Sequence, residues 1–311
     1  MLAFLPAWLR APLALLLVAL NTLLHTLPLF ALALLKALLP LPVWRHACSR
    51  GLARIAESWI AVNSGLFALL TRTRFRIEGA EHLQGAGNCL VLANHQSWVD
   101  IPVLQKVFNR RIPFMRFFLK QQLLWVPVLG LAWWALDFPF MRRHSRASLQ
   151  KHPELRDADV AATRRACARF RGLPVAVMNF VEGTRFTAAK HARQNSPYRH
   201  LLRPKAGGTA FVLETLGDTL DSVLDVTIVY AGGIPRMRDL LAGAIREVRV
   251  HIRRLPVPRE LTGDYAGDAA SRVRAQQWIN ALWAEKDALI DRLRAGTAGG
   301  TPTPTPDGAP P

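Results

Sequence analysis

The part of this chain that most limits its fold is an uncharged run near the N-terminus. Residues 11–35, APLALLLVALNTLLHTLPLFALALL, contain no Asp, Glu, Lys or Arg. About 20 consecutive apolar residues cross the hydrocarbon core of a bilayer as a helix, so the run is long enough to span a membrane. A cleaved signal peptide is the alternative. Arg10 is the one basic residue before the run, and no small-residue cleavage site leads into a polar segment. We therefore predict a retained membrane helix.

A second, amphipathic segment at residues 43–70 follows the short break LPLP. Its basic residues Arg45, Arg50 and Arg54 recur at spacings typical of one face of a helix. We therefore predict a hydrophobic helical hairpin for membrane attachment over residues 1–71, with the second helix in or near the interface. Basic residues after the first helix favour a main domain on the cytoplasmic side. Whether the first helix spans both leaflets or re-enters the same one stays open.

The chain carries a strong excess of positive charge. Its 311 residues have a formal net charge of +18 and a pI near 11.2. Such a charge predicts a polyanionic partner: nucleic acid, an anionic membrane surface or phosphorylated small molecules. The sequence has no RNA-recognition, KH, helix-turn-helix or zinc-finger pattern, which argues against nucleic acid. The segment NRRIPFMRFFLK, residues 109–120, interleaves Arg and Lys with Phe, and fits either a bilayer-docking face or a strand followed by a basic loop.

The three cysteines lie far apart in the sequence. Cys48, Cys89 and Cys167 form no CxxC motif and no cluster with histidines at metal-ligand spacing. Neither a disulfide framework nor a metal site is therefore predicted, and the main domain is expected in a reducing compartment.

Beyond residue 71, short apolar runs alternate with longer helix-like segments. Runs rich in Val, Ile and Phe are predicted to be strands at residues 75–79, 88–93, 174–180, 223–229 and 247–252. Helices are predicted at residues 99–108, 120–135, 157–171, 206–216 and 270–294. The alternation predicts an α/β domain over residues 72–294, with a mixed, mostly parallel sheet covered by helices. The Pro-, Gly- and Thr-rich tail, residues 295–311, is expected to be disordered.

A histidine and an aspartate follow the second predicted strand. The segment ANHQSWVD places His95 just after an apolar run and Asp100 at the start of a predicted helix. Open α/β sheets bind ligands at the carboxyl ends of their strands. A carboxylate on one imidazole nitrogen fixes the tautomer and makes the other nitrogen a stronger base, which suits proton removal from a hydroxyl. The spacing alone also fits a purely structural His–Asp hydrogen bond.

Two further segments carry groups suited to a phosphate. After the third predicted strand, NFVEGTRF offers a glycine for close backbone approach, a hydroxyl and a guanidinium. An ordinary turn is the alternative for this segment. The residues concerned are Glu182, Gly183, Thr184 and Arg185. The segment LDFPFMRRHSR ends in Arg142, Arg143 and Arg146, which also fit a solvated basic loop. Upstream, Lys120 precedes an apolar helix that either belongs to the core or lines an apolar tunnel.

Together these segments resemble a known family. In this order, NHQSWVD, FMRR, VEGTR and VTIVY resemble the four motif blocks of the glycerophospholipid acyltransferases, which include the bacterial 1-acyl-sn-glycerol-3-phosphate acyltransferases. LKQQLLWVPVLG and LRPKAGG match flanking positions, and the resemblance covers about residues 1–294. A His-x4-Asp pair followed by EGTR in this order is a specific signal, whereas either motif alone is not.

The resemblance implies an O-acyltransferase of phospholipid biosynthesis in the bacterial inner membrane, with its catalytic domain facing the cytoplasm. His95, oriented by Asp100, would act as general base on the free hydroxyl of a lysophospholipid, which attacks the thioester of acyl-CoA or acyl carrier protein. The expected reaction converts 1-acylglycerol-3-phosphate to phosphatidic acid. Lysophosphatidylglycerol, lysophosphatidylinositol or a lyso-aminolipid are alternative acceptors. No other cofactor is implied, and no acyl-enzyme is expected because no GxSxG-type nucleophile is present.

The resemblance also implies which residues bind substrate. The third block assigns acceptor binding to Glu182, Gly183, Thr184 and Arg185, with Arg185 on the phosphate. Arg143 matches the phosphate-facing arginine of the second block, and residues 226–230 match the fourth block, which is usually on the acyl-donor side. Lys120, in a matching flanking segment, is a further candidate for substrate binding.

Three positions depart from the family pattern. Val181 precedes EGTR and Thr227 lies in the fourth block, both where proline is common, and Arg142 replaces an acidic or amide residue. The reaction type is still expected, because His95, Asp100, Gly183 and Arg185 are intact. Arg142 leaves the acceptor headgroup open, since it adds positive charge where that group should bind. A lipid hydrolase is a competing class, and the missing nucleophile elbow argues against it.

Overall fold

The computed structural model describes residues 2, 4–39, 41–141, 172–263, 265 and 267–295. The predicted helix at 157–171, the arginines Arg142, Arg143 and Arg146, and the predicted tail from residue 296 onward lie outside these residues.

The chain begins with two long antiparallel helices, α1 (Ala7–Leu38) and α2 (Pro42–Leu70). Polar groups inside the apolar α1 are satisfied by α2: the Asn21 side-chain amide donates to Asn63 Oδ1 at 2.8 Å, and a ring nitrogen of His25 lies 3.2 Å from Ser58 Oγ. Such pairing matters in a bilayer, where an unsatisfied polar group has no water to bind. In the part of the chain that the structure describes, α1 is the one helix long and apolar enough to cross a membrane. The predicted hydrophobic hairpin is confirmed.

Behind the hairpin lies a six-stranded sheet with a smaller pair of strands beside it. The strands are β1 (Arg74–Glu78), β2 (Cys89–Ala93), β3 (Met115–Phe117), β4 (Leu119–Lys120), β5 (Phe140–Met141), β6 (Ala176–Phe180), β7 (Ser222–Tyr230) and β8 (Glu247–Leu255). The order in the large sheet is β1-β8-β7-β2-β6-β3, and β4 pairs with β5 separately. Strands β7, β2, β6 and β3 are parallel, whereas β8 runs antiparallel to β7. The predicted mixed, mostly parallel sheet is therefore confirmed.

Helices cover both faces of this sheet. Besides the hairpin, they are α3 (Asp100–Phe108), α4 (Leu129–Ala135), α5 (Ala188–Gln194), α6 (Ala206–Leu216), α7 (Met237–Leu241) and α8 (Ala269–Ala295). Because side chains alternate along a strand, β2 contributes side chains to the hydrophobic cores on both faces of the sheet. Leu90 and Leu92 pack with residues of α6 and α8, whereas Val91 and Ala93 pack with residues of α3. Every residue of β2 is buried, as expected for a central parallel strand.

The predicted helix at 120–135 is interrupted. A short 3-10 helix, Gln121–Trp125, precedes α4, and the break falls at Pro127 and Val128. Proline lacks the amide hydrogen that a continuous helix needs, and Val128 has a left-handed φ of 64°. The segment at 109–120, which fitted either a bilayer-docking face or a strand with a basic loop, contains strands β3 and β4. Arg116 is buried there, and its Nε donates to Leu136 O at 3.0 Å.

Candidate active site

His95 and Asp100 lie together at the carboxyl end of β2. His95 Nδ1 is 2.9 Å from Asp100 Oδ2, and this oxygen also accepts the backbone N–H groups of Gln96 and Ser97 at 2.7 and 2.9 Å. Because β2 ends at Ala93 and α3 begins at Asp100, one tight turn brings the carboxylate back to the imidazole. The predicted His–Asp contact is therefore present.

The other oxygen of Asp100 is held by a tyrosine from β7. The hydroxyl of Tyr230 donates to Asp100 Oδ1 at 2.6 Å, and Asp100 is completely buried. Burial, followed by the nearby carboxylate, raises the pKa of Tyr230 well above its usual value, so its hydroxyl keeps the proton that it donates. Both oxygens of Asp100 are thus fixed. The sequence placed Tyr230 in the fourth block but gave no sign of this contact.

An aromatic stack holds the imidazole from the side. The ring of Phe180, the last residue of β6, lies 3.9 Å from the His95 ring at an interplanar angle of 13°. Phe117 stacks in turn on Phe180 at 6.2 Å. Since Nδ1 faces Asp100, Nε2 is the ring nitrogen left for a substrate, and no hydrogen bond to it occurs among the described residues. The side chain of His95 remains 12% exposed.

Glu182 joins two loops rather than facing the surface. Its Oε1 accepts the backbone N–H of His95 at 2.8 Å, its Oε2 accepts that of Leu202 at 2.9 Å, and the residue is completely buried. Burial raises the pKa of Glu182 to about 8, although the two backbone N–H groups oppose the shift. Both oxygens are occupied by the backbone. Glu182 therefore links the backbone at His95 to the backbone at Leu202, just before α6.

Three basic side chains surround the turn that follows Glu182. Gly183 has a left-handed φ of 67°, and a Cβ there would meet the side chain of Lys205 at 3.4 Å. Thr184 Oγ1 accepts from Lys190 Nζ at 2.7 Å, and the same ammonium donates to Arg185 O at 3.0 Å. The turn thus offers backbone, hydroxyl and cationic groups at one place.

Arg185 is held over an indole ring. Its guanidinium lies 4.5 Å from the ring centroid of Trp98, which belongs to the turn that carries His95 and is 50% exposed. This cation–π contact links the third motif to the first across the site. The sequence reasoning singled out Arg185 but not Trp98 or Lys190. Thr187 was the sequence signal that could have located Lys190, because a threonine is a common helix N-cap and Lys190 follows it by three residues. In the structure the Thr187 side chain accepts from the backbone N–H of Lys190 and caps α5.

The structure does not join two other predicted substrate residues to this group. Lys120 is exposed in β4, and among the described residues no contact joins it to His95 or to residues 182–185. Arg143 lies outside the described residues, two positions beyond the end of β5.

A buried charge cluster supports β7 behind the site. Lys286 of α8 is fully buried, with Nζ 2.6 Å from Asp225 Oδ1, and donates to Val226 O at 2.7 Å and to Thr227 Oγ1 at 3.1 Å. Arg253 pairs with the other oxygen of Asp225 at 2.7 Å. Thr227, which departs from the family pattern, therefore supplies one of the acceptors that a buried ammonium needs.

Comparison with known protein families identifies the class of this protein. A family model described as Acyltransferase matches residues 74–231, a span that contains the dyad, the 182–185 turn and Tyr230. The chain belongs to this acyltransferase family.

Individual relatives are similar over most of the chain. Lysocardiolipin acyltransferase 1 of Danio rerio is 27% identical over 283 residues, covering 84% of this chain and 66% of the relative. The 1-acyl-sn-glycerol-3-phosphate acyltransferase gamma of Homo sapiens is 28% identical over 252 residues, covering 76% and 60%. The chain thus spans somewhat less than two thirds of these relatives. The crystal structure of the 1-acyl-sn-glycerophosphate acyltransferase PlsC from Thermotoga maritima aligns with a TM-score of 0.49 and 16% identity, covering 89% of this chain and 98% of that one.

Proposed function

We propose that this protein transfers a fatty acyl group from acyl-CoA or acyl carrier protein to the free hydroxyl of a lysophospholipid. The acceptor is 1-acylglycerol-3-phosphate and the product is phosphatidic acid. The observation that carries the proposal is the 2.9 Å contact between His95 Nδ1 and Asp100 Oδ2, which leaves Nε2 as the base. Membership of the acyltransferase family, and relatives named for lysophospholipid-type substrates, support the choice of reaction.

The dyad acts by proton transfer. With Nδ1–H donated to Asp100, the lone pair of Nε2 takes the proton of the acceptor hydroxyl as its oxygen attacks the thioester carbonyl. The carbon–sulfur bond then breaks, the acyl group stays on the acceptor oxygen, and the proton passes from Nε2 to the departing thiolate. General-base catalysis of this kind contributes roughly 10²–10⁴-fold. No protein nucleophile takes part.

The turn after Glu182 binds the acceptor phosphate. Arg185 offers a planar pair of donors for two phosphate oxygens, and Lys190 and Lys205 add positive charge beside the Gly183 backbone. Glu182 acts as a positioning residue because its oxygens hold backbone N–H groups. Arg143 as a second phosphate ligand, and Lys120 as a substrate contact, are supported by their motif positions alone.

A lysocardiolipin-type acceptor is the second candidate. It is favoured by the similarity to lysocardiolipin acyltransferase 1, which extends over 84% of this chain. Such an acceptor carries two phosphates, and the +18 net charge suits it as well as it suits a single phosphate. The other acceptors expected from the sequence differ from both in the group attached to the phosphate.

The proposal places the catalytic domain at the cytoplasmic face of a bacterial inner membrane. It is supported by the apolar helix α1 and by the basic residues that follow it, which favour the cytoplasmic side. No cofactor beyond the acyl donor is required, and the anionic membrane surface is the expected macromolecular partner.

The deciding experiment uses purified full-length protein in nanodiscs. Each lysolipid is supplied separately: lysophosphatidate, lysophosphatidylglycerol, lysophosphatidylinositol, lysocardiolipin and a lyso-aminolipid, with acyl-CoA or acyl carrier protein as donor. Mass spectrometry is expected to show phosphatidic acid formed fastest, and no product with His95→Ala protein prepared in parallel. Free fatty acid released without any acylated lipid would show a hydrolase instead.

A further inference from the structure

Residues 121–136, termed the 121–136 unit, form an uncharged helical segment that connects β4 to β5 beside the edge of the main sheet. Their sequence, QQLLWVPVLGLAWWAL, contains no Asp, Glu, Lys or Arg. The strands β4 and β5 that flank the unit form a parallel pair, and Leu119 N–H donates to Pro139 O at 2.9 Å. The two ends of the segment therefore meet at this strand pair.

One side of this unit is apolar and exposed. We term it the tryptophan face, formed by Trp125, Val128, Leu131 and Trp134, which are 83%, 37%, 58% and 56% exposed. The opposite side of α4 is packed, since Ala132 and Ala135 are at most 8% exposed. Several large apolar side chains exposed within one short segment, two of them indoles, mark a binding face on a soluble domain.

The packed side of the unit lies against the membrane hairpin. Ala132 and Ala135 share a core cluster with Leu29, Leu52 and other residues of α1 and α2. Asp137, directly after the unit, forms an ion pair with Lys36 of α1 at 2.7 Å and accepts from Ser49 of α2 at 3.0 Å. The unit is thus anchored to both helices of the hairpin.

The same end of α1 also carries exposed apolar side chains. Leu34 and Leu38, at the same end of α1 as Lys36, are 62% and 64% exposed. The tryptophan face therefore lies beside one end of α1, the one described helix that is long and apolar enough to cross a membrane.

We infer that the tryptophan face inserts into the interfacial layer of the bilayer that holds α1, so that the protein has a second membrane contact. Three observations favour lipid over a protein partner: the 121–136 unit carries no charge, its indoles are the side chains enriched at bilayer interfaces, and the face adjoins α1. The inference does not depend on the chemistry proposed for His95.

Spin-label accessibility tests this contact on the full-length protein. A single cysteine is introduced as Leu131→Cys or Trp134→Cys in a Cys167→Ser background, because Cys48 and Cys89 are buried. Val273→Cys on α8 is the matched control, since Val273 is also 56% exposed and lies far from the hairpin in the sequence. The proteins are reconstituted into vesicles of phosphatidylethanolamine and phosphatidylglycerol, and circular dichroism checks their folding.

The expected result is a contrast between the labels. Labels at 131 and 134 should collide with oxygen severalfold more often, relative to a water-soluble nickel chelate, than the label at 273. Equal accessibility to the chelate at all three positions would overturn the inference. Protection at 131 and 134 from both reagents, together with dipolar broadening between labels, would also overturn it, because the face would then bind a second copy of the chain.

Discussion

The hydroxyl of Tyr230 and the carboxylate of Asp100 are joined at 2.6 Å, although 130 positions separate the two residues in the chain. Tyr230 closes β7 and Asp100 opens α3, so the contact ties the central sheet to the helix that carries the acid of the dyad. Asp100 therefore presents one oxygen to His95 while the other is neutralised in part by a hydroxyl. In the proposed mechanism, Tyr230 is therefore a positioning residue for the base.

Tyr230→Phe is expected to weaken catalysis while keeping the fold. A hydrogen bond to a charged group contributes about 1.5–3 kcal/mol, so its loss should lower kcat by about tenfold or more with little change in the acceptor KM. An Asp100 without this donor stabilises the imidazolium more strongly, so the acid limb of the kcat/KM profile should move to higher pH. The measurement is steady-state kinetics across pH.

Tyr198→Phe is the matched control for that change. Its hydroxyl donates to Asn280 O at 3.3 Å in an exposed contact away from the dyad. Equal losses in the two variants, or a Tyr230→Phe profile with an unshifted acid limb, would contradict the positioning role.

His95→Ala is expected to abolish acyl transfer and leave membrane attachment intact. The base is lost, which costs about 10²–10⁴-fold, whereas α1 and α2 are separate parts of the chain. Product formation and flotation of the protein with vesicles measure the two effects. His82→Ala, outside the site in a 3-10 helix, controls for general effects of losing an imidazole. Turnover near that of the unmodified protein would remove His95 from the mechanism.

Arg185→Ala is expected to raise the acceptor KM by about tenfold or more, as for a lost charged hydrogen bond, and to change the donor KM far less. The reason is that the guanidinium lies at the turn proposed to bind the acceptor phosphate. Initial rates with each substrate varied in turn give the two constants. Arg193→Ala on α5 serves as the comparison, because Arg193 is exposed. Similar rises in both constants for Arg185→Ala would contradict the assignment.

Glu182→Gln is expected to change how stability depends on pH. The pKa of Glu182 is raised from 4.5 to about 8 in the folded protein, so between these values the folded state holds a proton that the unfolded state has released. The free energy of unfolding contributed by Glu182 therefore falls as pH rises through this window. In the Gln variant an NH₂ group replaces one carboxyl oxygen and cannot accept the backbone N–H that this oxygen binds. This loss should lower the free energy of unfolding by about 1–3 kcal/mol.

Thermal unfolding across pH checks this prediction. The stability advantage of the unmodified protein over Glu182→Gln should be largest at the acid end of the window and shrink towards pH 8. Glu260→Gln, at an exposed glutamate, should show a constant difference instead. An advantage that grew with pH would mean that Glu182 is an ordinary ionised carboxylate in the folded protein.

Much of the sheet was predictable because its strands are short, apolar and bounded by polar turns. All five predicted strands are present as β1, β2, β6, β7 and β8. Strand β3 was not predicted separately, since its three residues, Met115–Phe117, include a buried arginine. The sequence also gave no direction for β8, because antiparallel pairing with β7 depends on the path of the chain between them. Helix α5 escaped prediction because AAKHARQ has no apolar period.

The site was predictable where its parts are close in sequence. The His-x4-Asp contact lies within one turn, and periodicity together with motif spacing placed it at a strand end. The contacts of Asp100 with Tyr230 and of Arg185 with Trp98 join residues far apart in the chain, which no local pattern encodes. The burial of Lys286 was hidden for the same reason: on an amphipathic helix a lysine is normally on the solvent face, and its partner Asp225 lies on β7.

The position of His95 at the end of β2 is set by the pairing of β2 with its two parallel neighbours, and not by the lengths of the segments that connect these strands. Ala93 aligns with Phe180 on one side and with Val226 on the other, so these strands bring their ends together whatever the chain does between them. Lengthening a flexible connection costs only about 0.6 kcal/mol for each doubling. Insertions in these connections, outside the segments that carry Asp100, Glu182 and Arg185, are therefore expected to be tolerated and to leave the His95 imidazole in place.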